Sequence, residues 1–464
     1  MPPEDLKVLL ERIHTRLDDS FVGIGQMVSD LRAADLADLI NELTLSEAGA
    51  VVSMLPVART VEIFDQPTMR RRAAILEQLE PARVAEILTG LSADERTDIV
   101  QKMGLHERHR VVPKLSPEIR TELEHLLQYP VHTAGGIMTT EFVQLDPQMT
   151  VSAALKHIRS VAREKESIYA CYVLEPQTKH LLGAVSLRDL VMAELDAPVM
   201  KCMRSRPITV NALDDQESVA HKIAKYNLLA VPVLEKDGAV VGFVTVDDVI
   251  DVMVEEGTED ILRMAAVEPG ALDKPYMQVR LPTMIKKRAG WLVILFLGEM
   301  LTATAMGFFE KEIERAVVLA LFVPLIISSG GNSGSQASTL VIRALALSEV
   351  KLRDWWQVMR REVLSGLGLG VILGTIGFLR ITVWSMFSAI YGPHWLLVAL
   401  TVGVALIGIV LWGTLAGSML PFMLRRLGFD PATSSAPFVA TLVDVTGLVI
   451  YFSVAVVVLR GTLL

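Results

Sequence analysis

The sequence predicts a multidomain membrane protein: an all-α helical-repeat N-domain, a twice-built α/β module, an acidic connecting helix and a five-helix transmembrane domain. Three observations carry that prediction. First, charge divides the chain. Residues 275–464 hold 15 Lys and Arg against 9 Asp and Glu, a surplus of six positive charges in a chain of net −9, which leaves −15 on residues 1–274. Second, all six Trp (291, 355, 356, 384, 395 and 412) fall in the second part, several near the ends of apolar runs, where an interfacial belt places them. Third, the first part carries two internal echoes at different periods. An acidic soluble half argues against nucleic acid as a partner and in favour of cations or basic surfaces.

Five apolar segments, 289–309, 316–342, 363–389, 395–422 and 436–459, each reach the ~20 residues that a spanning helix needs. Lys286-Lys-Arg288 precedes the first. Arg343, Lys351, Arg353, Arg360 and Arg361 lie between the second and third, and Arg425-Arg426 between the fourth and fifth. The opposite connections hold Glu310-Lys-Glu-Ile-Glu-Arg315 and Tyr391-Gly-Pro-His394. The positive-inside rule then puts the N-terminus in the cytoplasm and the C-terminus outside. The second segment, broken by Pro324 and a run of glycines, has a re-entrant segment as its alternative. The start, Met1-Pro-Pro-Glu-Asp-Leu-Lys7, lacks the basic-then-apolar pattern of a signal peptide. Cys171 and Cys202, in no metal or redox spacing, fit a reduced compartment.

Inside the fifth segment sits one carboxylate, Asp444. An acid at membrane depth costs several kcal/mol unless it is partnered, and a cation is its natural partner. The run Gly330-Gly-Asn-Ser-Gly-Ser-Gln336 reads as irregular backbone, tolerated at that depth only where it is buried in protein or lines a water-filled path. Together they suggest a cation pore, with backbone carbonyls near Gly330 and Gly331 as lining and Asn332 and Thr441 as polar lining or packing hydrogen bonds. Gly366, Gly370 and Gly374 would suit a dinucleotide loop only after a strand. None precedes them, so close helix packing is the better reading.

In the soluble half, Leu55-Pro-Val-Ala-Arg-Thr-Val-Glu-Ile-Phe64 recurs as Glu80-Pro-Ala-Arg-Val-Ala-Glu-Ile-Leu88, about 24 residues on. That suits stacked helix pairs in a small solenoid. His106 and His109, separated by Glu-Arg, read as a solvated turn rather than a metal site. A second duplication pairs Leu182-Gly-Ala-Val-Ser-Leu-Arg-Asp-Leu190 with Val241-Gly-Phe-Val-Thr-Val-Asp-Asp-Val249. Each is a β-branched strand followed by a Ser or Thr N-cap. With upstream helices (Val151–Val161; Glu217–Tyr226) and strands (Ala170–Leu174; Ala230–Leu234), a β-α-β-β-α unit of about 60 residues repeats. It resembles a tandem CBS pair, a regulatory module for nucleotides or ions.

From Asp247 to Asp260 the chain then has seven acids and no base. Asp248, Asp251, Glu255 and Glu259 share one helical face. A solvated charged helix is the bland reading. Like charges at that spacing repel, however, so a helix that repels itself until divalent cations arrive fits a sensor.

In this order the parts resemble the MgtE family of magnesium channels over nearly the whole chain. Pro324 with Gly330–Gln336, and Pro437 with Thr441-Leu-Val-Asp444-Val-Thr-Gly447, are the most specific elements. The resemblance implies a homodimer in a bacterial-type inner (plasma) membrane, crossing it several times. Its domains would be a helical N-domain over 1–130, a CBS pair over 131–253, a plug helix over 247–272 and a pore domain over 275–464. Asp444 of both protomers would hold hydrated Mg2+, and other divalent cations are candidate cargo. Regulatory Mg2+ would bind Glu62, Asp94, Asp98, Glu217, Asp248, Asp251, Glu256, Glu259, Asp260 and Asp430, closing the pore when cytoplasmic Mg2+ is high. Arg188 and Asp189 suit the phosphate and ribose of ATP, although Tyr169-Ala-Cys-Tyr172 departs from the aromatic pattern expected for stacking adenine. Asn227 and Ala436 depart from the acid and the Asn of relatives.

Two rival classes remain. An ion-coupled carrier would use Glu299 and Asp444 as a relay, but five spans show no inverted repeat. An interaction scaffold fits the N-domain, which also resembles part of a flagellar motor switch protein, and leaves Asp444 unexplained. No nucleophile–base pair supports an enzyme.

Overall fold

A computed structural model gives the fold and describes residues 31–66, 68–268, 276 and 279–463. The reading of the first residues, and residues 269–272 of the expected plug helix, lie outside the described residues. The chain divides into two units, residues 1–256 and 257–464.

The N-domain is a stack of short helices, as the repeat predicts. Among the described residues these are α1 (Ala33–Glu42), α2 (Leu45–Met54), α3 (Val57–Phe64), α4 (Arg72–Leu76), α5 (Pro81–Gly90), α6 (Ala93–Lys102), α7 (Leu105–Val111) and α8 (Pro117–Leu126). Polar caps start several of them: Thr44 and Glu47 form a capping box on α2, and the Ser116 hydroxyl accepts from Ile119 N–H on α8. Leu39, Ile40, Ile63, Phe64, Ile75, Leu76, Ile87 and Leu88 are fully buried between them. The 24-residue echo has a structural cause. Arg59 on α3 donates to the Leu31 carbonyl just before α1 and Arg83 on α5 to the Leu55 carbonyl at the end of α2, each reaching back 28 residues. His106 and His109 lie on α7, so the expected turn is instead an exposed helix.

The α/β module repeats as predicted. Its first copy is β1 (Val143–Leu145), α9 (Val151–Val161), β2 (Ala170–Leu174), β3 (Leu181–Ser186) and α10 (Leu187–Met192). The second is β4 (Val210–Asn211), α11 (Gln216–Tyr226), β5 (Ala230–Leu234), β6 (Val240–Thr245) and the start of α12 (Val246–Met264). Both sheets run parallel then antiparallel, with an irregularity at the same step, Val173/Leu174 and Val233/Leu234. Phe142, Tyr172 and Phe243 pack edge-on or tilted where the copies meet. Asn227 ends α11 at φ 51°, a left-handed position that Asn tolerates well, so backbone geometry accounts for an amide at this departure.

Among the described residues, five helices of the second unit are long and apolar enough to cross a membrane: α13 (Leu281–Phe308), the span Val317–Ala346 that contains α15 (Val323–Ala346), the span Leu352–Ser385 that contains α16 (Trp355–Ser385), α17 (Trp395–Arg426) and α18 (Ala436–Leu459). A short α14 (Glu310–Arg315) precedes the second span. Lys286-Lys-Arg288 lies inside α13 and Arg360-Arg361 inside α16, because each helix continues beyond its apolar stretch.

One expectation is corrected. The glycine run is not irregular backbone: α15 is helical throughout, with Pro324 in its first turn. Its glycines let helices touch. A Cβ on Gly417 of α17 would lie 2.0 Å from the Gly334 carbonyl oxygen, and one on Gly413 would lie 2.5 Å from the Gly330 oxygen. The Gly330 carbonyl therefore faces α17 instead of lining a path. Gly366, Gly370 and Gly374 meet Leu411 and Thr414, Ile407, and Gly403 of α17 in turn, the close packing the sequence suggested.

Candidate metal and permeation sites

In the first unit, three carboxylates converge. Ligand oxygens of Asp94, Glu166 and Asp248 lie within 4.8 Å of one another, the one such gathering of His, Cys, Asp or Glu among the described residues. Local structure places each. Asp94 sits in the first turn of α6, where the Ser92 side chain and the N–H groups of Asp94 and Glu95 reach its carboxylate. Arg96, 3% exposed, fastens α6 by donating to the Leu88 and Leu91 carbonyls, both at 2.8 Å, and to Glu122 at 3.0 Å. Glu122 accepts from the Thr140 hydroxyl, and the adjacent Glu141 carbonyl accepts from Glu166 N–H at 3.2 Å. Asp248 closes the first turn of α12, accepting from the N–H (3.3 Å) and hydroxyl of Thr245. Thr245 thus caps α12 through Asp248, where Ser186 caps α10 by accepting from Asp189 N–H at 3.0 Å.

The electrostatics suit a cation. Desolvation by burial raises Asp94, and its Oδ1 is buried with no hydrogen-bond partner. Desolvation and then Asp94 raise Asp248. Much of Glu166 is exposed, yet desolvation of its carboxyl, then the Asp94 and Asp248 charges, push it up to about 9. Three acid oxygens that close, one unpaired, match the hard-oxygen donor set of Mg2+ or Ca2+. Sequence reasoning named Asp94 and Asp248 and missed Glu166, because nothing in Arg163-Glu-Lys-Glu-Ser167 separates it from Glu164.

The other expected regulatory acids are distributed. Glu62 pairs with Arg59 at 2.5 Å and Asp98 with Lys102 at 2.8 Å on their own helices. Glu217 lies in the first turn of α11. Glu256 accepts from the buried Gln216 amide at 2.6 Å, and Asp251 is exposed on α12. In the second unit Glu259 and Asp430 are brought together by Arg263, which donates to both; Asp260 follows Glu259. The cation already between Glu259 and Asp430 is therefore a guanidinium; its i,i+4 pairing with Glu259 is visible in the sequence, whereas Asp430, 167 residues away, is not.

Asp444 lies on α18 against Gly331: a Cβ there would meet Asp444 Oδ1 and Ala440 Cβ, each at 3.3 Å. Among the described residues no hydrogen bond or ion pair reaches the Asp444 carboxylate. The Thr441 hydroxyl donates to its own helix at Pro437 O (3.0 Å), and Asn332, exposed on α15, donates to Ser328 Oγ at 3.3 Å. Ser335 donates to the Ala436 carbonyl at 3.0 Å, so position 436 contributes backbone rather than side chain. A bare backbone beside an unpartnered acid can accept a hydrated cation.

Comparison with known proteins finds family likeness along much of the chain. Family models described as "MgtE intracellular N domain", "CBS domain" and "Divalent cation transporter" match residues 31–132, 134–196 with 199–255, and 323–454. A protein of Thermus thermophilus named magnesium transporter MgtE is 42% identical over 76% of each chain. One of the same name from Enterococcus faecalis is 37% identical over 73% of this chain and 72% of its own. A solved cytosolic domain of the Mg2+ channel MgtE in complex with ATP is 34% identical, covering 53% of this chain and 99% of its own, at a TM-score of 0.49.

Proposed function

The chain belongs to the MgtE family, and on that premise we propose that it is a homodimeric, Mg2+-selective channel for magnesium uptake, closed by cytoplasmic Mg2+. The observation that carries the reading is the Asp444 carboxylate, unpartnered among the described residues, beside Gly331 in a five-span domain. Mg2+ gives up its water reluctantly and binds through one or two carboxylates while keeping several waters. Asp444 from two protomers would supply two acids to such an ion. None of the 28 residues of α13 is buried, which leaves apolar surface for lipid and for a second copy. The basic connections favour a cytoplasmic N-terminus.

Gating rests on the carboxylate triad. Without a cation the ionised forms of Asp94, Glu166 and Asp248 repel and the group must take up protons to stay together, whereas a bridging Mg2+ favours the arrangement that gathers them. The plug role of α12 and ATP binding through Arg188 and Asp189 belong to the same reading. The experiment is Mg2+ uptake by liposomes holding the purified protein, with and without Mg2+ on the cytoplasmic face. Flux suppressed by millimolar cytoplasmic Mg2+ supports a gated channel; flux indifferent to it refutes the gating. A turnover no faster than a carrier's would favour a relay through Glu299 and Asp444.

A further inference from the structure

Glu299 is a second acid within a spanning helix, and the permeation reading above does not use it. On α13 the nearest bases toward the N-terminus are Lys287 and Arg288. Eleven residues of helix put Arg288 about 16 Å from Glu299, and the helix end at Phe308 is about 13 Å away, too far for a glutamate to reach. Neither snorkelling nor a pair on its own helix relieves the cost of a carboxylate at that depth.

Its surroundings point toward Asp444. α13 meets α18 at Gly298, where a Cβ would lie 3.0 Å from Thr441 Cγ2. Asp444 follows Thr441 by three residues, on the same face of α18. Glu299 follows Gly298, is exposed on the protomer surface, and lies near enough for its charge to act on Asp444. Among the described residues no donor reaches either carboxylate; the backbone carbonyl of Glu299 accepts from the Thr302 hydroxyl at 2.6 Å.

We propose that Glu299 is a selectivity residue of the permeation site, holding the hydrated dication together with Asp444; this rests on Asp444 being that site. Hydrated Mg2+ contacts its acceptors through water, so two acids need not be within direct ligation distance of each other to share it. Each added negative charge attracts a dication twice as strongly as a monocation, so Glu299 raises the preference for Mg2+ over Na+.

The test is initial Mg2+ uptake by liposomes containing the full-length protein, measured against Mg2+ concentration with and without competing Na+. Glu299→Gln should raise the half-saturating Mg2+ concentration about tenfold and make Na+ a stronger competitor. Glu299→Asp, which keeps the charge at shorter reach, should shift both in the same direction by less. Unchanged half-saturation and competition in Glu299→Gln overturn the proposal, as does a lower maximal rate alone, the mark of a merely structural role. Should Glu299→Gln fail to assemble, an unshifted Glu299→Asp overturns it instead. A parallel Asp444→Asn sample separates the two readings: wild-type flux there sinks the pore assignment, whereas lost flux there with an unshifted Glu299→Gln sinks only this proposal.

Discussion

Asp94, Glu166 and Asp248 hold their protons more tightly than free carboxyls do, and this fixes the sign of a pH effect. Glu166 titrates near 9 in the folded chain against 4.5 as its ordinary value. The folded state then binds more protons across that interval. The stability involved is complete below about pH 4.5 and lost as pH rises through about 9. Metal-free protein should melt at a lower temperature at about pH 8.5 than at about pH 6.5, and saturating Mg2+ should narrow the gap. Scanning calorimetry at the two pH values checks this, and a melting temperature that rises with pH would contradict it. Arg263 poses the opposite case, a built-in cation between Glu259 and Asp430 whose side chain is 29% exposed. Partly exposed pairs contribute little, so Arg263→Gln should cost only about 1 kcal/mol. It should also make the protein more responsive to Mg2+, since two acids then lack their cation; melting curves with and without Mg2+ would show an equal response if the account is wrong.

Helix contacts in the membrane unit turn on missing side chains. Gly417→Val should prevent assembly of a stable spanning domain, because its Cβ would stand 2.0 Å from the Gly334 oxygen of a helix that cannot retreat. Overpacking ordinarily costs about 1–3 kcal/mol and occasionally more, and a clash with helix backbone at this distance belongs to the upper end. Gly331→Val is milder, with neighbours at 3.3 Å, and should fold but lose Mg2+ flux. A folded, conducting Gly331→Val would place the path elsewhere. The solenoid, the doubled α/β unit and five spans were legible because hydrophobic period and internal repetition are local signals. The continuity of α15 was not. Glycine and serine lower intrinsic helix propensity, and only contact with Gly413 and Gly417 on a helix about 80 residues away explains why the run is helical. Glu166 was hidden for the same reason: its partners come from α6 and α12.

At the scale of the whole molecule, an acidic soluble half and a basic membrane half are joined in sequence through α12. Substituting Asp94→Asn, Glu166→Gln and Asp248→Asn together keeps side-chain oxygens as hydrogen-bond acceptors and removes the charge. Two effects oppose each other. Lost repulsion favours the gathered state, but the raised proton affinity of all three acids means that bound protons already relieve much of that repulsion in the wild type. A lost bridging dication costs about 2.7 kcal/mol where Mg2+ stands a hundredfold above its dissociation constant. The second prevails, so the triple variant should conduct at cytoplasmic Mg2+ that closes the wild type. Closure at the same concentration would reduce the triad to a structural cluster.

The central claim, that a divalent cation crosses at Asp444, has its most direct test in Mg2+ flux through Asp444→Asn reconstituted beside the wild type. The amide is nearly isosteric and leaves the contact with Gly331 in place, so the fold should persist and its melting temperature stay close to that of the wild type. With no charge left to hold a hydrated dication, Mg2+ flux should fall to the level of empty liposomes. Wild-type flux through a folded Asp444→Asn protein would contradict the account.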